Sequence, residues 1–205
     1  EARQKGWFRE EIVPVAVPQK KGEPLSVAED EEPGKVKFDK IGTLRPAFLK
    51  DGTITAANAS KINDGAAALL LMSAEKASAL KLPVLSTIRA FGSAARKPAE
   101  FTTAPADVIP KVLSRAGVTI GDIDLFEINE AFAVVNLAVN KKLGIDPSKL
   151  NVHGGAVALG HPIGASGARI LVTLVHALRR LDKKRGMAAI CIGGGEASGM
   201  IIDRL

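Results

Sequence analysis

The sequence of 205 residues is poor in cysteine, in aromatic side chains and in long apolar runs. Cys191 is the only cysteine, so an intrachain disulfide framework is excluded. No apolar run approaches the roughly 20 residues that span a bilayer, and no secretory leader opens the chain. We therefore expect a soluble protein of a reducing compartment, the cytoplasm. Its core must rest on alanine and aliphatic side chains, because aromatic residues make up only 4%.

The charges are spread along the chain and do not gather on one basic face. The 28 basic and 22 acidic residues leave a formal net charge of +6, which suits an anionic ligand. No basic stripe interleaved with aromatic residues is present, so nucleic acid is not an expected partner. The densest basic tract, residues 179–185, lies where a helix is expected to end, and positive charge is favourable next to a helix C-terminus.

Hydrophobic periodicity divides the chain into three parts. Residues 1–62 are rich in proline, lysine and glutamate and predict an irregular lobe with a short strand at 12–17. Residues 63–82 predict a strand over the apolar run 66–72 and a helix capped by Ser73. Residues 83–205 predict an α/β fold, a mixed β-sheet with helices on both faces. Its predicted strands are 84–91, 123–128, 187–192 and an antiparallel 199–202, and its predicted helices are 106–116, 130–143 and 165–181.

Two segments place polar groups next to regular elements. Asn129 follows a predicted strand, and its amide could serve a site, although helix capping is the more common use. His161 lies among the glycines of residues 154–167, which allow the backbone to come close to a ligand. A lone histidine is more often structural than catalytic, but these glycines make the two interpretations equally favoured. His153 lies nearby, but no cysteine or carboxylate stands at ligand spacing, so no metal site is predicted.

A third segment runs from Cys191 through Gly193, Gly194 and Gly195. A buried, inert thiol is the usual outcome for a cysteine that ends an apolar strand. The glycines, however, expose successive backbone N–H groups that could hydrogen-bond an oxyanion. The segment lacks the third glycine of a dinucleotide site, and the serine-centred hydrolase spacing occurs nowhere in the chain.

In this order, the three segments resemble the thiolase family. The matching residues are Asn129-Glu130-Ala131-Phe132, Gly160-His161-Pro162 with Gly164-Ala165-Ser166-Gly167, Cys191-Ile192-Gly193-Gly194-Gly195 and, upstream, residues 58–60 and 63–67. The resemblance covers the whole chain and implies the thiolase fold. It assigns residues 1–62 to the C-terminal part of the loop domain, 63–82 to the completion of the N-terminal core half, and 83–205 to the C-terminal domain.

The resemblance implies an enzyme that uses two cysteines. The nucleophile would lie in an N-terminal half that this sequence lacks, and since the chain starts at Glu1 inside an apparent helix, we expect its beginning to be missing. Cys191 would be the acid/base at the substrate α-carbon, a role that suits a thiolate basic near neutral pH. His161 would activate the nucleophile and donate to the thioester oxygen, and Asn129 would hold a water of the same oxyanion hole.

Further roles follow from the same resemblance. The N–H of Gly193 would contribute to a second oxyanion hole, and Ser60 would bind the pantetheine arm of coenzyme A. The channel for that arm would be lined by Phe48, Ala131 and Phe132. No cofactor or metal is implied, because coenzyme A thioesters are the substrates. Glu196 departs from the methionine or glutamine that relatives often carry, which leaves the shape of the acyl pocket open.

The function implied first is acetyl-CoA C-acetyltransferase, which condenses two acetyl-CoA molecules to acetoacetyl-CoA and coenzyme A and runs in reverse as thiolysis. An alternative is a 3-ketoacyl-CoA thiolase of fatty-acid β-oxidation. A non-catalytic thiolase-like protein that binds acyl-CoA or lipid is a third, although Asn129, His161 and Cys191 together argue for catalysis. A ketoacyl synthase is disfavoured because those enzymes place histidine or asparagine where Cys191 stands. The expected partners are acyl-CoA, the N-terminal half and further copies in a homotetramer, with neither nucleic acid nor membrane.

Overall fold

The computed structural model describes residues 1–205. The strands are β1 (Val15–Val17), β2 (Leu25–Val27), β3 (Ser86–Ala95), β4 (Leu125–Ile128), β5 (Arg185–Cys191) and β6 (Glu196–Arg204). The α-helices are α1 (Ala74–Ala79), α2 (Pro105–Ala116), α3 (Ala133–Leu143), α4 (Ala156–Leu159) and α5 (Ser166–Arg180). Short 3-10 helices occupy Glu32–Gly34, Phe38–Thr43, Pro98–Thr103, Ile120–Asp122 and Pro147–Lys149.

The centre of the molecule is a four-stranded mixed sheet in the order β3-β6-β5-β4. Strands β4 and β5 pair in parallel, with Ile128 opposite Ala189, and β6 runs antiparallel to both β5 and β3. Parallel neighbours bring their carboxyl ends to the same edge of the sheet. The residues that follow β4 and those that end β5 therefore lie side by side.

Helices α2 and α5 cover opposite faces of this sheet and create two hydrophobic clusters. On one face, α2 buries Val108, Ile109 and Val112 completely. On the other face, α5 buries Leu174 and Leu178 completely. Each such side chain contributes about 1.5–3 kcal/mol to the free energy of unfolding. The predicted α/β arrangement, with helices on both faces of a mixed sheet, is confirmed.

The predicted strands and helices of residues 83–205 all form, with bounds that differ by a few residues. Gly144 ends α3 in the left-handed region, at φ +65°, as its position predicts. The helix predicted from residue 130 begins only at Ala133. Residues before it stay extended, since Phe132 has φ −140° and ψ 149° and pairs with Ala59 in an isolated β-bridge.

The strand predicted at residues 66–72, as part of the sheet of an N-terminal half, does not form within this chain and stays a prediction. This segment has no regular structure, and Leu70 is 84% exposed. A strand needs a neighbour that satisfies its backbone N–H and C=O groups, and no segment of the chain lies alongside to do so. The helix predicted after it is confirmed as α1, where Ser73 Oγ accepts a hydrogen bond from the backbone N–H of Lys76 at 3.2 Å.

The N-terminal lobe is irregular, as predicted, apart from the β1–β2 hairpin. The helix expected at its start is replaced by consecutive turns, because Gly6 adopts φ +69°, which a right-handed helix does not allow. Trp7 and Phe8 pack on His153, with ring centroids 5.3 and 5.6 Å away. The longest helix, α5, has 15 residues. None of the helices is both long enough and apolar enough to cross a membrane.

Candidate active site

Asn129 and Cys191 lie at the carboxyl ends of the adjacent parallel strands β4 and β5. The backbone N–H of Asn129 donates to the carbonyl of Ala189 at 2.9 Å, which fixes Asn129 beside β5 two residues before Cys191. The side chain of Asn129 is fully buried, and Cys191 is 7% exposed. The sheet topology thus brings the first and third of the predicted segments to one edge.

His161 reaches the same edge on a turn held by an upstream segment. Its backbone N–H donates to the carbonyl of Lys61 at 2.7 Å. Gly160 has φ +99°, and a Cβ at this position would overlap the side chain of Asn63. The close backbone approach predicted from this glycine is therefore real, but its neighbour is another part of the same chain.

Both ring nitrogens of His161 are engaged. Asn129 Nδ2 lies 3.3 Å from Nε2, and Ser166 Oγ lies 2.6 Å from Nδ1. The hydroxyl of Ser166 donates to the carbonyl of Pro162 at 3.0 Å, so its oxygen accepts from Nδ1–H. Nε2 then carries no proton and accepts from the Asn129 amide. This tautomer is the one that a general base acting through Nε2 needs.

The protonation state of His161 follows from its surroundings. Partial burial lowers the pKa of the imidazole below its ordinary value of 6.5, and the nearby positive charge of Arg169 lowers it further. The ring is therefore neutral at neutral pH and able to take a proton. The Oδ1 atom of Asn129 is buried and no protein group donates to it, so one acceptor of this amide is unused.

Burial also raises the pKa of the Cys191 thiol above its ordinary value. The expectation of a thiolate near neutral pH is thus not what this environment favours, because desolvation penalises the charged sulfur. Cys191 rests as a thiol and becomes a strong base once its proton is removed. A thiol of raised pKa is equally suited to return a proton to carbon.

The glycine turn after β5 presents free backbone donors. No hydrogen bond within the protein uses the N–H of Gly193 or of Gly194. The turn closes through the N–H of Gly195, which donates to the carbonyl of Ile192 at 3.0 Å, and Gly195 has φ +107°. A free N–H at Gly193 matches the donor predicted for an oxyanion, and its role stays a prediction.

The residues predicted to line a pantetheine channel lie together around Phe132. The ring of Phe48 lies 5.9 Å from that of Phe132, and Ser60 Oγ donates to the carbonyl of Ala131 at 2.7 Å. This contact gives Ser60 a structural role, while its oxygen can still accept a hydrogen bond. Phe101, not singled out in the sequence, packs on the other side of Phe132 at 6.3 Å.

Two polar residues of the site were quoted in the matching motifs without a role. Ser166 sets the tautomer of His161 and is the first residue of α5. The sequence feature that could have indicated this contact is the spacing of five residues between His161 and Ser166, across the turn at Pro162. Glu130 accepts a hydrogen bond at 3.0 Å from the backbone N–H of Val157 and so orders the start of α4. Glu130 is the second residue after β4, and a charged residue just after an apolar strand was the only sequence feature that could have indicated its role.

The cluster therefore offers four chemical functions within one edge of the sheet. These are a neutral imidazole base at His161, a buried amide at Asn129, a protonated thiol at Cys191 and an unused N–H at Gly193. Together they fit proton transfer to and from carbon or sulfur, combined with stabilisation of an oxyanion. The chain contains no group of three or more histidine, cysteine, aspartate or glutamate side chains placed to hold a metal ion.

Comparison with known proteins identifies the family to which the sequence is similar. Residues 1–75 match the family described as "Thiolase, N-terminal domain", and residues 82–204 match "Thiolase, C-terminal domain". A Dictyostelium discoideum protein described as a probable acetyl-CoA acetyltransferase is 54% identical over 205 residues, which cover 100% of this chain and 50% of that protein.

Solved structures agree. The crystal structure of the Bacillus anthracis acetyl-CoA acetyltransferase superposes with a TM-score of 0.96 at 42% identity. That of human mitochondrial 3-ketoacyl-CoA thiolase superposes with a TM-score of 0.90 at 36% identity. Each match covers 100% of this chain and 52% of the other, so the chain spans about half the length of the relatives it matches. By the extent of the family matches and by its fold, the chain belongs to the thiolase family.

Proposed function

We propose that this chain forms the C-terminal half of an acetyl-CoA C-acetyltransferase. The observation that carries the proposal is the hydrogen-bonded series Asn129–His161–Ser166 beside Cys191, which provides a base, an oxyanion donor and a second proton carrier. The Dictyostelium relative and the Bacillus anthracis structure carry the name of this activity. The substrates are coenzyme A thioesters, for which the net charge of +6 is favourable.

In the first half-reaction, Nε2 of His161 takes the proton of a nucleophilic thiol supplied by the complementary half. The thiolate sulfur attacks the thioester carbonyl, and Nε2–H then donates to the oxygen that becomes negative. When the tetrahedral adduct collapses, the C–S bond to coenzyme A breaks and the departing thiolate takes the proton of the Cys191 thiol. Cys191 is then a thiolate, and Nε2 of His161 keeps its proton until the nucleophile's sulfur is released in the second half-reaction. The acetyl group stays on the nucleophile.

In the second half-reaction, Cys191 acts as the base on a second acetyl-CoA. The sulfur of its thiolate takes a proton from the α-carbon, and the resulting enolate oxygen is stabilised by His161 together with a water held by Asn129. The carbanion attacks the acyl group, and the free N–H of Gly193 stabilises the new oxyanion. Breaking the bond to the nucleophile's sulfur releases acetoacetyl-CoA. In thiolysis the same steps run backwards, with Cys191 returning the proton.

A 3-ketoacyl-CoA thiolase of fatty-acid β-oxidation is the second candidate. It is favoured by the superposition on the human mitochondrial enzyme of that name. Rates with acetoacetyl-CoA and with longer 3-ketoacyl-CoA substrates separate the two, since only the second candidate retains high turnover on long chains. A binder of acyl-CoA without catalysis would show affinity and no turnover.

The complementary half and further copies of the chain are proposed partners. Apolar side chains remain exposed on β3 and include Phe91, which is 65% exposed. A cleft of about 490 Å³ lies there between α5 and the sheet. Leu70 and Leu71 add further exposed apolar surface to the chain. We propose that an N-terminal half covers it, in a cytoplasmic homotetramer that serves fatty-acid metabolism.

The test is complementation. The chain is co-produced with the N-terminal half of the Dictyostelium relative, and thiolysis of acetoacetyl-CoA is measured for the complex and for each half alone. We expect turnover only in the complex, because the chain has a single cysteine and the mechanism needs two. The complex carrying Cys191→Ala serves as the control without turnover. Turnover that is unaffected by Cys191→Ala would contradict the proposal.

A further inference from the structure

Behind the active site, a buried carboxyl group and an arginine lie close together, and the mechanism above uses neither. Glu127 on β4 is 1% exposed, and neither of its carboxyl oxygens accepts a hydrogen bond. Its nearest cation is Arg169 on α5, whose Nη1 lies 3.7 Å from Oε2 and whose side chain is 19% exposed. A polar group so deeply buried is unfavourable unless a nearby group compensates it, so the presence of this carboxyl group in the core requires a reason.

The position of the pair connects it to the catalytic residues. Arg169 lies three residues after Ser166 on α5, and residues at this spacing share one face of a helix. Glu127 lies two residues before Asn129, and residues at this spacing share one side of a strand. The pair therefore joins α5 to β4 directly behind the hydrogen bonds that join Ser166, His161 and Asn129.

Arg169 also lies at the centre of a group of acidic side chains. Burial raises the pKa values of Glu130, Glu11 and Asp30 as it does that of Glu127, and the positive charge of Arg169 opposes this rise in all four; Glu11 and Asp30 belong to the N-terminal lobe. Glu11 accepts a hydrogen bond from Thr173, one turn further along α5, at 2.9 Å. The charge of Arg169 thus acts on acidic side chains from β4, from the loop after it and from the N-terminal lobe, and Glu127 is the one in contact with it.

We propose that Arg169 is a positioning residue, which by its contact with Glu127 holds the first turn of α5 against β4 and thereby fixes Ser166, His161 and Asn129 relative to one another. Arg169 touches no substrate and acts through Ser166. Without it, α5 loses its polar attachment to β4, and the carboxyl of Glu127 is left buried with no cation. A displacement of His161 by about 1 Å is enough to reduce the rate about a hundredfold.

The test uses the chain co-produced with an N-terminal half, and its rate measurements rest on the proposed function. Arg169→Met keeps the length of the side chain and removes its charge. We expect kcat to fall about 10- to 100-fold with little change in KM, since substrate contacts remain. Arg169→Lys should recover part of the loss. Arg179→Met, on the same helix but paired with the exposed Glu10, is the matched control and should behave as the parent.

A second measurement does not depend on turnover. Diethyl pyrocarbonate modifies neutral imidazoles, and peptide mass spectrometry follows its reaction with His161 as the pH is varied. In Arg169→Met, the pH midpoint of this reaction should shift upward, because a positive charge beside His161 is lost; in Arg169→Lys it should stay at the parent value. A role in stability alone would not move this midpoint.

Coupling to Ser166 completes the test. Because Arg169 acts through Ser166, Arg169→Met should add little to the rate loss already caused by Ser166→Ala. Fully additive losses, or parent-like kcat and midpoint in folded Arg169→Met, would overturn the proposal. Arg169→Gln is measured alongside in case the methionine variant does not fold, and parent-like values there would overturn it equally. If the parent complex has no turnover, the proposed function fails, and the midpoint alone decides the role of Arg169.

Discussion

In residues 83–205, each strand of the sheet finds its partners within the chain, whereas in residues 1–82 only the three-residue strands β1 and β2 pair with each other. Of the 42 buried residues, Phe8 and Ala77 alone belong to the first region. The second region therefore owes its order to its own core. Residues 1–82 are ordered instead by individual contacts with residues 83–205, such as Trp7 packing on His153 and the hydrogen bond that Glu11 accepts from Thr173.

This difference separates two kinds of contribution. The sheet region carries the groups that we propose to exchange protons, and the first region supports them through backbone contacts at Ser60 and Lys61. Substitutions in the sheet region should therefore affect chemistry and stability strongly. Those in the exposed part of the first region should matter only where a partner surface is in place. The following experiments test that division.

The largest effect is expected from Cys191→Ala in the complemented enzyme. Condensation should fall by about 10⁴-fold, at the upper end of what a positioned base contributes, because no other group takes the α-proton. Transfer of an acetyl group from acetyl-CoA to the nucleophile should continue. Mass spectrometry of the incubated variant measures the acetyl adduct. If no adduct forms, Cys191 is not specifically the base of the second half-reaction.

The next largest effect is expected on the free energy of unfolding, which substitutions in the two regions should change by different amounts. Leu174→Ala, in the core between α5 and the sheet, should lower the free energy of unfolding by about 2–5 kcal/mol, because it leaves a cavity. Leu70→Ala removes the same atoms from a side chain that is 84% exposed, so the chain alone should lose less than about 0.5 kcal/mol. Urea unfolding measures both.

The Leu174→Ala and Leu70→Ala variants can also be compared by urea unfolding when an N-terminal half is present. Leu70→Ala should then become costly, because the proposed partner buries the side chain. An equal and negligible effect of Leu70→Ala with and without that half would argue against the apolar segment 66–72 as a contact surface.

His161→Ala should slow both half-reactions by on the order of a hundredfold or more, since one imidazole serves as base and as oxyanion donor. Stopped-flow measurement of acylation and of condensation tests this. His176→Gln is the matched control, because His176 lies on α5 beside the exposed Glu10 and contacts no residue of the site. Acylation at the parent rate in His161→Ala would be incompatible with the assigned role.

The last expected effect is a dependence of stability on pH. Burial raises the pKa of Glu127 to about 8, against an ordinary value of 4.5. The folded protein therefore favours the protonated acid, and this contribution to stability is present below pH 4.5 and is lost as the pH rises through 8. The loss should reach at least about 1.4 kcal/mol, the equivalent of one pKa unit. In Glu127→Gln, this dependence should disappear from urea unfolding curves measured across the range.

Much of the sheet region could be predicted from local pattern. The alternation of apolar runs with helical periodicity gave α2, α5 and the four strands, because each element buries one face within the chain. The residues of the site were found through the thiolase resemblance and not through periodicity, which left Asn129 and His161 open to structural interpretations. The structure joins them in one hydrogen-bonded series.

What could not be predicted depends on distant partners. The run at 66–72 has the composition of a strand, but a strand forms only beside another, and none lies next to it. The contact between Glu127 and Arg169 joins residues far apart in the sequence, and its only local sign was a carboxylate within an apolar strand. The raised pKa of Cys191 likewise depends on burial by the fold and on no neighbouring residue in the sequence.

The segment 58–61 joins two loops of the candidate site, the one after β4 and the one that carries His161, through backbone hydrogen bonds. The carbonyl of Asn58 accepts from Ala133, the N–H of Ser60 donates to Ala131, and the carbonyl of Lys61 accepts from His161. Two loops attached to the same four residues open together or remain closed together. Amide hydrogen exchange should therefore find the N–H groups of Ser60, Ala133 and His161 in one cooperative opening event. Its rate would set an upper limit on how fast the site can rearrange between half-reactions.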